Sequence, residues 1–161
     1  MAATRASAAR AVVGNGGREA LDHAILRDLV GYNVRRADLY MRQEFERNLG
    51  ARSFRPGEFS ALALIAANPQ VTQTSLAHAM GIRRPNMVGL IDRLERRGLV
   101  RRSIDPHDRR NQSLGTTAKG EALLRSARLR VAAGDRRATA ALSARERTRL
   151  IGLLQRLHGI G

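Results

Sequence analysis

Four consecutive residues carry the most pointed chemistry in this chain: Arg83, Arg84, Pro85 and Asn86, at the start of an apolar-periodic segment. An arginine guanidinium donates two parallel hydrogen bonds to guanine O6 and N7, and an asparagine amide pairs in the same way with adenine. Proline suits a first helical turn, where its missing N–H would have no partner. Gly89 and Arg93 follow on the same segment, and Thr74, Ser75 and His78 precede it across a break at Gly81. Side chains of that kind on a preceding short helix reach phosphate oxygens and fix register without reading sequence. Farther on, Asp108-Arg109-Arg110 follows Asp105-Pro106-His107 in a turn. An arginine on such a tip can enter a narrow minor groove, where the negative potential is enhanced. Asp108 stands two residues before Arg110 and can brace it through a charge-assisted hydrogen bond. These residue types, in this order, describe a surface that reads double-stranded DNA.

The elements needed to position them can be read from periodicity and punctuation. Residues 18–48 show a long helical pattern without proline, through Leu21, Ile25, Leu29, Tyr32, Arg36 and Leu39. A second line through Leu26, Val30, Val34 and Met41 widens the apolar stripe, so this helix is either deeply buried or shared between two chains. Arg55-Pro56-Gly57-Glu58 opens the next helix, with Glu58 suited to its N-terminal dipole, and Asn68-Pro69 stops it. Thr72 or Thr74 caps a short helix over 75–80. A second helix over 84–97 ends at Gly98 and turns Met87, Val88, Ile91 and Leu94 inward. Residues 99–104 and 111–115 read as the two strands of a hairpin. A helix from Thr116 or Thr117 to about 133 ends before Gly134-Asp135, and Ser143-Ala144-Arg145-Glu146 is a capping box for the last helix. That last helix puts Leu150, Ile151, Leu154 and Leu157 on one face.

Composition bounds the rest. The chain has 161 residues, 43% of them apolar, and only 3% aromatic, so the core falls to Leu, Ile, Val and Ala in a mainly α protein. Lys plus Arg number 29 against 14 acids, a formal charge of +15, which attracts polyanions. The absence of cysteine excludes disulfides, thiolate metal sites, cysteine nucleophiles and thiol switches. The four histidines are scattered without metal spacing, so neither a metal nor a cofactor is expected. No Ser/His/Asp grouping, acid pair or phosphate-binding glycine loop points to an enzyme. No stretch reaches the roughly 20 apolar residues that span a bilayer, and residues 1–17 read as a flexible arm without a signal peptide's apolar core. The expected location is the cytoplasm, with no membrane partner.

The stretch from Leu76 through Gly81-Ile82-Arg83-Arg84-Pro85-Asn86-Met87-Val88-Gly89 to Gly98-Leu99-Val100-Arg101-Arg102 resembles the recognition region of MarR-family regulators. Asp105-Pro106-His107-Asp108-Arg109-Arg110 looks like that family's wing signature, and Thr117-Ala118-Lys119-Gly120 is similar to the start of its post-wing helix. One departure is Gly115-Thr116, where the family has a polar residue and then Leu, which would loosen the end of the second wing strand. The likeness runs from about Leu21 to the C-terminus. It implies a winged helix-turn-helix module at 55–116, with helices at 18–50 and 117–161 intertwining two copies into a homodimer. Two-fold symmetry then sets half-sites about 10 bp apart in a pseudo-palindromic operator. Family precedent makes the regulator a repressor.

The resemblance also implies a small-molecule effector. Tyr32, Arg36 and Tyr40 fall on one helical face, Arg35 lies beside them, and arginines among aromatics suit a carboxylate or phosphate. Gly31-Tyr32-Asn33-Val34-Arg35-Arg36-Ala37 looks like the segment in members that respond to hydroxycinnamate-type acids or their CoA thioesters. Phe59 could line the same pocket. The plainer reading leaves the tyrosines in an interface and the arginines solvated. The competing function is a basic nucleoid-coating or RNA-binding protein without sequence preference. Against RNA stands the near absence of aromatics for base stacking.

Overall fold

Capping residues and helix breakers divide the chain much as the sequence suggests. The structure, a computed structural model, describes residues 21–50, 54–104 and 112–159. Along it run α1 (Val30–Leu49), α2 (Pro56–Ala67), β1 (Val71–Thr72), α3 (Gln73–Ala79), α4 (Arg84–Arg96), β2 (Val100–Ile104), β3 (Gln112–Thr116), α5 (Ala118–Ala138) and α6 (Ala144–His158). The fold is mainly α with a small β wing. The arm at 1–17 lies outside the described residues.

The three strands form one antiparallel sheet in the order β1-β3-β2. Val100 stands opposite Thr116 and Ile104 opposite Gln112, so pairing runs through Gly115-Thr116 to the end of the strand. The expected loosening there does not occur. β1 was not expected: two residues are too few for a period, and they become a strand only because Val71 meets Leu114 of β3.

The core joins Leu62 and Ile65 of α2, Leu76 of α3, Met87, Ile91 and Leu94 of α4, then Leu99 and Leu114 of the wing. All are buried, and burying side chains of this size stabilises by about 1.5–3 kcal/mol each. On α4 the inward set is Met87, Leu90, Ile91 and Leu94. Val88, expected inside, is exposed, because a 100° step per residue carries position 88 off the stripe that Met87, Ile91 and Leu94 share.

Two helix boundaries differ from expectation. α1 begins at Val30, well inside the expected start, and residues 24–28 form a turn. Asp22 Oδ1 accepts the Ala24 N–H at 2.8 Å, and Asn33 Nδ2 donates to the Arg27 and Leu29 carbonyls at 2.7 and 2.9 Å. Such side-chain bonds compete with the helical ladder, and exposed Leu21, Ile25 and Leu29 supply no packing to outweigh them. α5 conversely continues through Gly134-Asp135 to Ala138. A Cβ at Gly134 would lie 2.4 Å from Asn48 Nδ2, so the glycine is there for close approach of α5 to α1 and does not end the helix.

Candidate DNA-binding surface

α3 is held at its start by Thr72, whose Oγ1 accepts the Ser75 N–H at 3.1 Å and sits 2.9 Å from Ser75 Oγ. It ends at Ala79, followed by Gly81, whose φ of +60° suits glycine, and the Ile82 N–H closes back on the Ala77 carbonyl at 3.0 Å. Thr74, Ser75 and His78 stay exposed along this helix.

Arg83 caps α4 with extended backbone and no side-chain bond, while its carbonyl accepts the Asn86 and Met87 N–H groups at 3.0 and 3.1 Å. Pro85 occupies the first turn. Arg83, Arg84, Pro85 and Asn86 are all exposed. Among the described residues no polar group engages the side chains of Arg83, Arg84 or Asn86. The structure thus brings these four sequence candidates together at one helix start, with the side-chain donors of Arg83, Arg84 and Asn86 free.

Arg93 is placed differently. Its Nε lies 3.2 Å from Glu58 Oε1, and Arg97 Nη1 lies 3.0 Å from Glu58 Oε2. Glu58, in the first turn of α2, is the one charged side chain buried among the described residues. Arg97 also lies over the Phe54 ring, 5.3 Å from its centroid, a favourable cation–π geometry. Arg93 therefore helps clamp α4 onto α2, on the flank away from the wing. On the opposite flank Arg102 of β2 reaches Asp92 Oδ1 at 2.6 Å and also pairs with Glu95. Burial works against the Arg102 charge, but its hydrogen bond to Asp92 and the two carboxylates outweigh that and raise its pKa above the ordinary arginine value. Asp108, Arg109 and Arg110 at the wing tip lie outside the described residues.

Sequence reading missed Glu58 as a clamp, along with Arg97 and Arg102. Glu58 and its two arginine partners are 35 and 39 residues apart, beyond any helical period. The only available signal was an acid in the first turn of α2, which the helix dipole alone explains.

The effector candidates are not gathered into one cleft. Tyr32 hydroxyl lies 2.6 Å from His23 Nδ1, and Arg35, Arg36 and Tyr40 are exposed on α1. Phe59 instead packs edge-on to Phe45 and Phe54, with ring centroids 6.0 and 6.1 Å away. A cleft of about 170 Å³ between α1 and α5 is lined by Met41, Phe45, Asn48, Pro56 and Val131 among others, and by none of those five. Among the described residues no cluster of His, Asp or Glu could hold a metal ion. No helix among them is long and apolar enough to cross a membrane.

The MarR family model matches residues 54–111. A protein assigned as transcriptional regulator of the hcr operon in Thauera aromatica is 34% identical over 139 residues, covering 86% of this chain and 84% of its own length. The chain belongs to the MarR family. Among solved structures, the transcriptional repressor CouR bound to a 23-mer DNA duplex superposes with a TM-score of 0.80 at 37% identity, over 86% of this chain and 99% of that one. CouR bound to p-coumaroyl-CoA gives 0.77 at 36% identity, over 86% and 97%. As a MarR-family member the chain is a transcriptional regulator and not an enzyme.

Proposed function

We propose that this regulator is a repressor that binds a pseudo-palindromic operator as a homodimer and leaves it when a small aromatic acid or its CoA thioester binds. The observation that carries the reading is the free, exposed Arg83-Arg84-Pro85-Asn86 start of α4, a helix whose flanks are both tied down. A recognition helix fixed this way loses little freedom on entering a major groove, so its contacts go to affinity. In this reading Arg84 and Asn86 read bases, Thr74, Ser75 and Arg83 take phosphates, and Asp108, Arg109 and Arg110 serve the minor groove. Arg93 acts by positioning α4. The module spans 55–116, and the regulator works in the cytoplasm.

The dimer is supported by apolar surface that a single chain leaves uncovered. Leu29, Val30, Val34 and Leu39 are exposed at the N-terminal end, and Leu150, Ile151, Leu153, Leu154 and Leu157 on α6. A row of five large apolar side chains exposed on one helix marks an interaction surface. The segments at 18–50 and 117–161 are accordingly the dimerisation helices.

The effector class is supported by the p-coumaroyl-CoA complex of CouR. A cleft of about 170 Å³ is smaller than the roughly 300–1,000 Å³ usual for ligand sites. A second copy over the Tyr32, Arg35, Arg36 and Tyr40 face would enlarge and close it, with Phe59 behind Phe45.

Selection of bound sequences from randomised duplex DNA at near-physiological salt tests the reading, followed by titration of the winner with aromatic acids and CoA thioesters. An enriched inverted repeat released by one ligand class upholds it. No enrichment, with affinity that collapses as salt rises, would hand the protein to the alternative that its +15 charge favours, a non-specific basic coat on nucleic acid.

A further inference from the structure

Between residues 54 and 116 the described exposed surface is made of polar, basic and small side chains and prolines, with one exception. Val88 is 43% exposed, the only large apolar side chain that is exposed there among the described residues. It lies on α4 one helical turn after Arg84 and three residues after Pro85, both exposed. A β-branched residue on an exposed helix position adds nothing to helix stability, so the fold does not require it.

The next residue points the same way. Gly89 sits mid-helix, where glycine costs about 1 kcal/mol relative to alanine. A Cβ there would meet only the end of the Arg93 side chain, at an ordinary 3.6 Å. Nothing among the described residues therefore needs position 89 bare. A missing side chain beside Val88 does allow the helix axis to approach a surface more closely.

We infer that Val88 is a base-reading residue, packing its methyl groups against the C5-methyl of a thymine in each half-site, with Gly89 providing the approach. This rests on the operator-binding reading above. The thymine methyl is the apolar group that base edges present in the major groove, and apolar side chains read it by contact. Arg84 and Asn86, whose donors are free, supply the hydrogen-bonded part of the code. Val88 adds a preference for thymine that no donor or acceptor pattern on the protein would reveal.

Uracil substitution isolates that methyl, because it removes one carbon and leaves every hydrogen-bonding group in place. On the selected operator, replacing each thymine in turn by uracil should leave most positions unaffected. At one thymine per half-site the wild-type affinity should fall about fourfold, and about 15-fold with both half-sites substituted, from about 0.8 kcal/mol per buried carbon. Val88→Ala should bind more weakly to the thymine operator and lose the uracil penalty at that position alone. Its melting temperature should match the wild type, since the site is exposed and alanine favours the helix. Arg84→Ala should keep the uracil penalty. An operator enriched by selection but tolerant of uracil at every thymine would overturn the inference while leaving the regulator reading intact. So would a Val88→Ala protein with the full wild-type penalty. If no duplex is enriched, the regulator reading fails and the inference falls with it.

Discussion

Replacing Glu58 by Gln removes the charge that two arginines of α4 converge upon. Breaking a buried ion pair by deleting one partner costs about 3–5 kcal/mol, because the remaining charge is left desolvated. Here the arginine ends keep water, with Arg93 and Arg97 side chains 39% and 34% exposed, so the full figure does not apply. Exposed pairs contribute about 0–1 kcal/mol, and glutamine retains one acceptor oxygen. The Arg55 N–H, which donates to Glu58 Oε2 at 3.3 Å at the start of α2, loses a charged acceptor as well. The expected loss is about 2 kcal/mol, or about 4–8 °C in melting temperature for a chain of this size. Thermal and urea denaturation at matched protein concentration measure it, since the stability of the proposed dimer depends on concentration. Arg93→Met combined with Glu58→Gln should show a coupling of about 1 kcal/mol in a double-mutant cycle. A loss below about 0.5 kcal/mol with no coupling would refute the clamp and return Arg93 to the DNA-contacting set.

Gly120→Ala should be more damaging than any surface change, because its Cβ would fall 2.0 Å from the Leu99 carbonyl oxygen, and a rise in the unfolded fraction in denaturant measures it. Thr72→Ala removes the α3 cap and should cost about 1 kcal/mol by urea midpoint, with Thr72→Ser largely retaining it. Glu146 is held below the ordinary carboxylate pKa by hydrogen bonds from the Ser143 hydroxyl and backbone N–H. A depressed folded pKa stabilises above the unfolded value and loses that contribution as pH falls through the folded one. The start of α6 should therefore loosen only in acid below about pH 4.5, and amide exchange there should show a weaker pH dependence in Ser143→Ala, which keeps only the backbone N–H bond. Arg84→Ala should relax base preference at one position per half-site by about 1–3 kcal/mol in competition binding, whereas an equal loss on every sequence would make Arg84 a phosphate contact.

Periodicity and punctuation were enough to place the helices from 56 to 96, the hairpin strands and α6. Each depends on local chemistry, such as Pro56 in a first turn, Gly81 and Gly98 at positive φ, or the Ser143–Glu146 box. The Arg83-Arg84-Pro85-Asn86 group was legible for the same reason, since its residues are consecutive. What only the tertiary structure decided joins residues far apart in the chain. β1 exists because β3 runs beside it. α5 passes through Gly134 because Asn48 lies against it, and Glu58 takes two arginines across more than 30 residues. Val88 was misassigned because a period defines the stripe only to within a residue at its edge, and packing against α2 and the wing set where that edge fell. Local rules name the elements and the proposed reading head. The angle at which that head is held, and the apolar residue it leaves facing outward, depend on contacts that no local spacing encodes.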